Sequence, residues 1–432
     1  MGSHDRCASA RRHIVARLIP ALALAVIAFF AGGERSARAE NRCVDCHSGL
    51  AEPRLNEPAK KFRASVHRDD AVGCAGCHGG DPEDPTVRAH SPAAGFTAHP
   101  AHDKIPSICG GCHGDARFIR RINASLPIDQ LTLFGLSRHG ERAASGDGGG
   151  PVCNTCHGTH DVVRVADASS PVHPHNVAEL CGSCHANTAH MAPYNLPTDQ
   201  LAKWKRSVHG QAVQHGNERA PSCTGCHGSH GEMRAAVSSV GRTCGTCHVE
   251  EARRFKESPH AKPFGKRGLA ECVVCHGAHD VPSAGPLLLG FGPDGTCGKC
   301  HSGDEGKPLE VIRLLAERLG AAKDRAAHAR SEVDRAAGLG LYVPDAAARL
   351  DELAKAEARL RPFVHAIDPA ALEAPIADVA SAAEGAEHVV ADAEQTRRMA
   401  RRGYVIAVAV VLVMFVGLLI AAVRLARKRG AA

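Results

Sequence analysis

Hydrophobic positions are unevenly distributed along this 432-residue chain, and their longest uninterrupted cluster lies near the C-terminus. Residues 404–423 form a stretch of 20 residues without a charged side chain. At about 1.5 Å of rise per helical residue, such a stretch spans roughly 30 Å, the apolar thickness of a bilayer. The pattern therefore predicts one transmembrane helix at 403–424, followed by a tail at 425–432.

A shorter apolar segment, residues 18–31, follows a basic region and precedes the small residues Ala37 and Ala39. It is too short to span a bilayer comfortably, and small residues two positions apart suit a signal peptidase. We expect an export signal at 1–39, with an uncleaved anchor as the alternative. Basic residues flank residues 404–423 equally on both sides, so charge alone does not orient that helix. Export would place the body in the periplasm, attached to the cytoplasmic membrane by a single span, with the tail in the cytoplasm.

Between 306 and 402, apolar residues recur at alternating spacings of three and four, which is typical of packed helices. These residues form three seams, each a row of apolar positions along one face of a predicted helix. The first seam ends near Gly338, the second is interrupted at Pro362, and the third leads towards the membrane segment. The pattern predicts an α-helical stalk, a hairpin extended to three antiparallel helices, with a dimerising coiled coil as the alternative. The first seam consists of Ile312, Leu315, Leu319, Ala322, Ala326, Ala329, Val333 and Ala336.

Residues 40–305 lack this periodicity and are rich in cysteine and histidine instead of aromatic residues. The chain has 19 cysteines and 28 histidines, but only 3% of its residues are aromatic. Nine Cys-x-x-Cys pairs occur, and His follows each pair directly. The paired cysteines are Cys43, Cys46, Cys74, Cys77, Cys109, Cys112, Cys153, Cys156, Cys181, Cys184, Cys223, Cys226, Cys244, Cys247, Cys272, Cys275, Cys297 and Cys300. The histidines that end the motifs are His47, His78, His113, His157, His185, His227, His248, His276 and His301.

Two thiols at this spacing can form thioethers with the two vinyl groups of a haem, and the next His can ligate its iron. One such motif would also fit half a zinc ribbon or a redox dithiol, but neither requires nine copies that each end in His. The sequence therefore predicts nine covalently bound c-type haems. About 29 residues per motif leave too little chain for an ordinary core. We expect a mainly α-helical domain at 40–305, with short helices, much irregular chain and almost no sheet around the haems.

An internal repeat supplies histidines for the second axial position of each iron. Four times a Ser-x-His lies between two motifs, and three of the four repeats extend the second motif to Cys-His-Gly-x-His. The first repeat departs from this pattern, and His90 is its next histidine. For the ninth position we choose His173 over His175, His190 and His215. The predicted distal ligands are His67, His90, His139, His160, His173, His209, His230, His260 and His279. Three histidines past the motifs are interpreted as structural, namely His328, His365 and His388.

The doubled motifs resemble the multihaem c-type cytochromes of the cytochrome c3-like group, and in particular a membrane-anchored branch of it. The resembling stretches include Cys-Ala-Gly-Cys-His-Gly-Gly at 74–80 and Ser-Pro-Val-His-Pro at 170–174. Leu-Pro-Ile-Asp-Gln-Leu at 126–131 recurs as Leu-Pro-Thr-Asp-Gln-Leu at 196–201, each before a Ser-x-His-Gly. The resemblance covers residues 40–301 well and implies low-potential haems with two histidine ligands, and electron transfer rather than catalysis.

These features favour an electron conduit at the outer face of the cytoplasmic membrane. It would connect a quinol-oxidising membrane complex with periplasmic redox proteins. The formal net charge of +6 does not predict nucleic-acid binding, because removal of the Arg-rich export signal and addition of haem propionates would leave the protein net negative.

The alternative is a multihaem reductase or oxidase that acts on a small nitrogen or sulfur oxyanion at one open haem. Such an enzyme needs an iron without a distal protein ligand, or an unusual proximal residue. All nine motifs end in His, and histidines are in surplus. Tyr194, the one tyrosine in the motif region, is the candidate for a tyrosine-assisted site. A cysteine-rich structural protein without haem is the third class considered.

Overall fold

The computed structural model describes residues 42–68, 72–231, 240–285, 288–291, 295–301 and 306–429. The expected export signal lies outside these residues. Within these ranges the chain consists of helices and irregular connections, without a β-strand. The expected fold class is confirmed: a motif region of short helices is followed by long helices and one long apolar helix.

The chain divides into two compact units. The first contains residues up to Leu196 together with Ser222–Thr224 and Gly228–Glu232, and the second contains Pro197–Pro221, Gly225–His227 and the chain from Met233 onwards. Residues 306–429 thus belong to the same unit as the later motifs.

Short helices carry the motifs of the first unit, and irregular connections lie between them. The α-helices are α1 (Arg42–Ser48), α2 (Pro53–Phe62), α3 (Ala75–His78), α4 (Ile105–His113), α5 (Ala116–Ile122), α6 (Gln130–Leu136), α7 (Arg138–Ala144), α8 (Cys153–His157), α9 (Val177–His185) and α10 (Thr188–Met191). The 3-10 turns are Val66–Arg68, Val87–His90, Pro92–Ala94, His102–Lys104 and Ala192–Tyr194.

From residue 197 onwards, short helices again precede three long ones. The α-helices are α11 (Gln200–Arg206), α12 (Val208–Gln214), α13 (Cys223–His227), α14 (Val240–Gly245), α15 (Val249–Glu257), α16 (Ala261–Arg267), α17 (Val273–His276), α18 (Lys307–Gly338), α19 (Ala346–Leu360) and α20 (Glu373–Arg429). The 3-10 turns are Cys297–Lys299, Arg361–Ala366 and Pro369–Leu372.

Helices α18 and α19 pack with the first part of α20 into a three-helix bundle around an apolar core. The side chains of Leu315, Leu353, Leu372 and Val379 are fully buried in it. The seam positions of α18 are buried, apart from Leu319, which is partly buried. Small Ala side chains in the core let the helix backbones approach closely, as the seam pattern predicts.

Ion pairs between the helices define their relative directions. Arg318 contacts Glu373 and Arg335 contacts Glu394, so α18 and α20 run in the same direction. Helix α19 connects them in the opposite direction, which gives the up-down-up order expected for three antiparallel neighbours. The polar position Glu357, which interrupts the second seam, forms an ion pair with Arg330 of α18.

Helix α20 continues for 57 residues, from the bundle through the apolar segment. Its apolar part is long enough to cross a membrane, and none of it is buried against the rest of the protein. Tyr404, Phe415 and Leu418 are exposed on it, at 72%, 63% and 68% of their surface. Such an exposed apolar surface is typical of a segment whose solvent is lipid.

Candidate haem centres

Each motif folds as one helical turn, which places its three reactive side chains on one side of the backbone. The amide of His78 donates a hydrogen bond of 2.9 Å to the carbonyl oxygen of Cys74, and His276 donates one of 3.0 Å to Cys272. Side chains three and four residues apart lie on the same helix face. The two thiols and the imidazole of a motif therefore point towards one ligand.

The cysteines of all nine motifs are free thiols rather than disulfides. This leaves them available for thioether bonds. Thiols of successive motifs also interact, because the neighbouring Cys153 raises the pKa of the Cys109 thiol and Cys244 raises the pKa of the Cys272 thiol. Cofactors attached to such neighbouring motifs would lie side by side.

Every motif histidine faces the ring of a second histidine at a nearly constant distance. In the first unit the ring centroids are 5.7 Å apart for His47–His90, 6.1 Å for His113–His67, 6.1 Å for His78–His160, 6.1 Å for His185–His139 and 6.0 Å for His157–His230. In the second unit they are 6.2 Å apart for His248–His209, 6.0 Å for His227–His279, 6.0 Å for His301–His260 and 6.0 Å for His276–His365.

This spacing fits one metal ion between two imidazoles. A coordinating imidazole nitrogen lies about 2 Å from the metal, and each ring centroid lies about 1 Å behind its nitrogen, so centroids about 6 Å apart are expected. The rings of His157 and His230 are nearly parallel, at 8°. Within the described ranges no three His, Cys, Asp or Glu side chains converge as they would around zinc. Two imidazoles suffice for haem iron, because the macrocycle supplies the other four nitrogens.

A buried serine holds each Ser-x-His histidine in place. Ser65, Ser137, Ser207 and Ser258 are all buried. The Oγ of Ser137 accepts a hydrogen bond of 3.0 Å from the amide of Gly140, and Ser207 makes the equivalent bond at the start of α12. Ser137 and Ser207 are thus helix N-caps. The cap fixes the first turn, in which the distal histidine is the second residue.

The glycine after Ser-x-His is required by a close backbone approach. A Cβ atom on Gly140 would lie 1.9 Å from the carbonyl oxygen of Phe134, and one on Gly210 would lie 2.0 Å from that of Trp204. Only glycine lets α7 and α12 begin so close to the helix before them. The sharp turn at Ser137 and Ser207 follows from this approach and directs His139 and His209 towards their partners.

The glycine of Cys-His-Gly-x-His reverses the chain directly after the motif. Gly158 has a φ of 82° and Gly277 a φ of 72°, with extended ψ values. Side chains other than hydrogen rarely adopt this conformation. The reversal carries His160 and His279 away from their own motifs, and each faces the histidine of an earlier motif, His78 and His227 respectively.

Backbone carbonyl groups fix the orientation of several of these rings. The Nδ1 atom of His78 lies 2.9 Å from the carbonyl oxygen of Thr97, and that of His365 lies 3.1 Å from Pro362. A carbonyl oxygen can only accept, so Nδ1 carries the hydrogen and Nε2 keeps its lone pair for a metal. Burial also lowers the pKa of His276 and His365, which favours the neutral, metal-binding form of each ring.

Eight of the nine expected distal histidines face a motif histidine, and His173 does not. Its ring lies edge-on to His175, 5.2 Å between centroids, and its Nδ1 accepts a hydrogen bond of 3.3 Å from the His175 amide. The ninth facing ring belongs to His365, which the sequence pattern had assigned to the structural histidines. The sequence contained one indication that His365 has a special position. Pro362 ends the regular helix, so that His365 lies in a turn instead of on a helix face.

Tyr194, the candidate for a tyrosine-assisted site, is held by polar contacts in its own neighbourhood. Its hydroxyl donates to the Asp147 carboxylate at 3.0 Å, and the Arg142 guanidinium lies over its ring at 5.0 Å from the centroid. The hydrogen bond to Asp147 raises the pKa of Tyr194. These contacts are typical of a residue with a structural role.

Each of the nine motifs supplies two thiols and an imidazole that faces a second imidazole, a set of groups that fits a covalently bound haem. In sequence, the chain is similar to the C-type polyheme cytochrome OmcC of Geobacter sulfurreducens, with 23% identity over 210 residues. The similarity covers 44% of this chain and only 26% of that protein's length. No protein-family model and no solved structure matches the chain.

Proposed function

We propose that this protein transfers electrons through nine covalently bound c-type haems at the periplasmic face of the cytoplasmic membrane. The observation that carries this proposal is the second imidazole opposite each of the nine motif histidines. When bound, each haem supplies a one-electron iron couple. Two imidazoles at each iron would leave no position for a substrate, so the ligand set suits electron transfer rather than catalysis.

The contacts between successive motifs support a conduit rather than a set of isolated centres. The thiols of Cys43 and Cys74 interact, as do those of Cys181 and Cys223, and the same holds for the two pairs described above. Attachment sites in contact keep the porphyrin edges close, and electron tunnelling falls steeply with distance. Each of these contacts joins two motifs that are adjacent in the chain, so transfer between the two haems of each pair is expected.

The C-terminal helix supports attachment to a membrane. Its exposed apolar part offers no His, Cys or acidic side chain for the chemistry of a quinone. We therefore propose that a separate quinol-oxidising membrane complex exchanges electrons with the haems, and that periplasmic redox proteins are the partners at the other end. The placement in the periplasm rests on the export signal expected from the sequence.

Electron paramagnetic resonance of the purified, oxidised protein, with quantification of haem, tests this function. The expected result is nine haems per chain, all low-spin, since two imidazoles are strong-field ligands. A stoichiometric high-spin signal would instead support the oxyanion reductase. The contacts of Tyr194, the candidate tyrosine of such an enzyme, provide no evidence for it. A chain without covalent haem would overturn both functions.

A further inference from the structure

The C-terminal bundle provides one of the nine facing histidines. The ring of His365, in the turn Arg361–Ala366, faces His276 with centroids 6.0 Å apart and planes inclined by 30°. The counterparts of the other eight motif histidines all come from the motif region. We propose that His365 is the distal axial ligand of the haem attached to Cys272 and Cys275, which rests on the haem binding proposed above.

The separation of the two rings matches that of the other candidate ligand pairs. The distance between His276 and His365 equals that of His227–His279 and His260–His301, two pairs expected from the repeat. A ring recruited from the bundle thus adopts the same geometry as the rings supplied locally.

The turn presents His365 in the tautomer that coordination needs. Pro362 is the second residue of the turn, and its carbonyl oxygen lies 3.1 Å from Nδ1 of His365. Because that oxygen can only accept, the hydrogen is on Nδ1, and Nε2 is free to bind iron. Ile367 follows with a φ of 52°, an unusual value for a β-branched residue, and packs partly buried against the bundle core. The packing holds the turn in this conformation.

A contact with the motif region fixes the position of the turn. The guanidinium of Arg254, on α15, lies 3.8 Å from the centroid of the Phe363 ring, in a cation–π arrangement. The Nε of Arg254 is buried without a hydrogen-bond partner among the described residues. A carboxylate would satisfy that donor, and each haem carries two propionates. The surroundings of His365 are therefore consistent with a haem at this position.

The inference makes the membrane-anchored bundle a part of the haem array. The residue that completes the coordination of the eighth motif lies between α19 and α20, and α20 continues into the apolar segment. The eighth haem is accordingly the centre whose ligand field depends on how the bundle is folded.

The test is the substitution His365→Ala in the full-length protein, with His173→Ala as the matched control. We expect His365→Ala to retain nine covalent haems, of which one becomes high-spin, and added imidazole to restore its low-spin signal. His173→Ala should keep nine low-spin haems. Rescue by imidazole identifies a missing ligand, which a merely structural defect would not mimic.

His365→Met covers the case in which the Ala variant does not accumulate. One haem in nine should then show a positive shift of potential, because methionine ligation raises the potential relative to histidine. Nine low-spin haems in His365→Ala, or unchanged potentials of all nine haems in His365→Met, would overturn the ligand assignment while leaving the nine-haem function intact. Absence of covalent haem from the unmodified protein would overturn the function itself.

Discussion

The backbone amide of Val208 donates a hydrogen bond of 3.0 Å to the carbonyl oxygen of Val281. The same bond, at 2.8 Å, joins Val66 to Val162 in the first unit. Each bond connects a Ser-x-His with the chain just after a Cys-His-Gly-x-His, so the two kinds of distal histidine are held by one backbone contact. In both cases the Ser-x-His belongs to one repeat and the Cys-His-Gly-x-His to the next, so the contact links successive repeats.

The close approach at Gly140 predicts that Gly140→Ala destabilises the protein. The added Cβ would meet the carbonyl oxygen of Phe134, so α7 must move, and His139 moves with it. We expect a loss of about 1–3 kcal/mol in the free energy of unfolding, as for other overpacked sites. Thermal unfolding and the low-spin spectrum measure the two effects.

Gly135→Ala is the control for this substitution. Gly135 lies in the preceding helix α6, with open space where its Cβ would be. We expect the free energy of unfolding of Gly135→Ala to be unchanged or slightly raised, because alanine favours the helical conformation more than glycine does. Equal effects of the two substitutions would contradict the steric explanation.

Loss of the helix cap at Ser207 should weaken the protein without removing a ligand. In Ser207→Ala the amide of Gly210 loses its acceptor in a buried place, and a cost of about 0.5–2 kcal/mol is typical for an N-cap. The midpoint of chemical unfolding measures this cost. Ser331→Ala on the exposed face of α18, where Oγ only donates to the His328 carbonyl, should be nearly neutral, and a comparable loss there would argue against capping.

Because the bundle core contains small residues, we expect the stability of the protein to depend strongly on side-chain size at these positions. Ala383 is fully buried, so Ala383→Leu should cost about 1–3 kcal/mol through overpacking. Ala377→Leu on the same helix places the same side chain in solvent and should leave the melting temperature almost unchanged. Circular dichroism during heating compares the two variants, and a bundle core that tolerates both would contradict the close packing.

Two truncations should separate the anchor from the bundle. Deletion of residues 403–432 removes the apolar helix but retains the bundle core and His365. It should yield a soluble protein with nine low-spin haems, reduced normally by dithionite and only weakly by quinol in membrane vesicles. Deletion of residues 306–432 should additionally change the eighth haem to high-spin. Loss of several haems in the shorter deletion would show that α20 stabilises more of the motif region than its contacts indicate.

Much of the architecture could be predicted because it depends on local patterns. The seam of α18 was readable since spacings of three and four directly specify a buried helix face, and Gly338 ends that helix as expected. Seven facing histidines were found because Ser-x-His and Cys-His-Gly-x-His fix their rings through hydrogen bonds and turns of a few residues, and His90 was found as the next histidine of the first repeat. These interactions lie within the reach of a sequence motif.

His365 was missed because its position depends on tertiary packing. No local pattern relates a turn between α19 and α20 to the motif that ends in His276, and the cation–π contact of Arg254 with Phe363 joins segments far apart in the chain. His173, by contrast, lies in a stretch that resembles other cytochromes, yet its ring is engaged locally with His175. No motif histidine is left for His173 to face, because each of the nine already faces another ring.

The uninterrupted course of α20 has a mechanical consequence for a protein attached to a bilayer. About a dozen residues separate Val390, the last fully enclosed position of the bundle, from Tyr404, which amounts to roughly 20 Å of helix. If the apolar part lies in lipid as proposed, the length of this helical interval determines the distance of the bundle from the lipid headgroups. Each inserted residue would raise the bundle by about 1.5 Å and rotate it by about 100°, so helix length determines which side of the bundle a partner in the membrane meets.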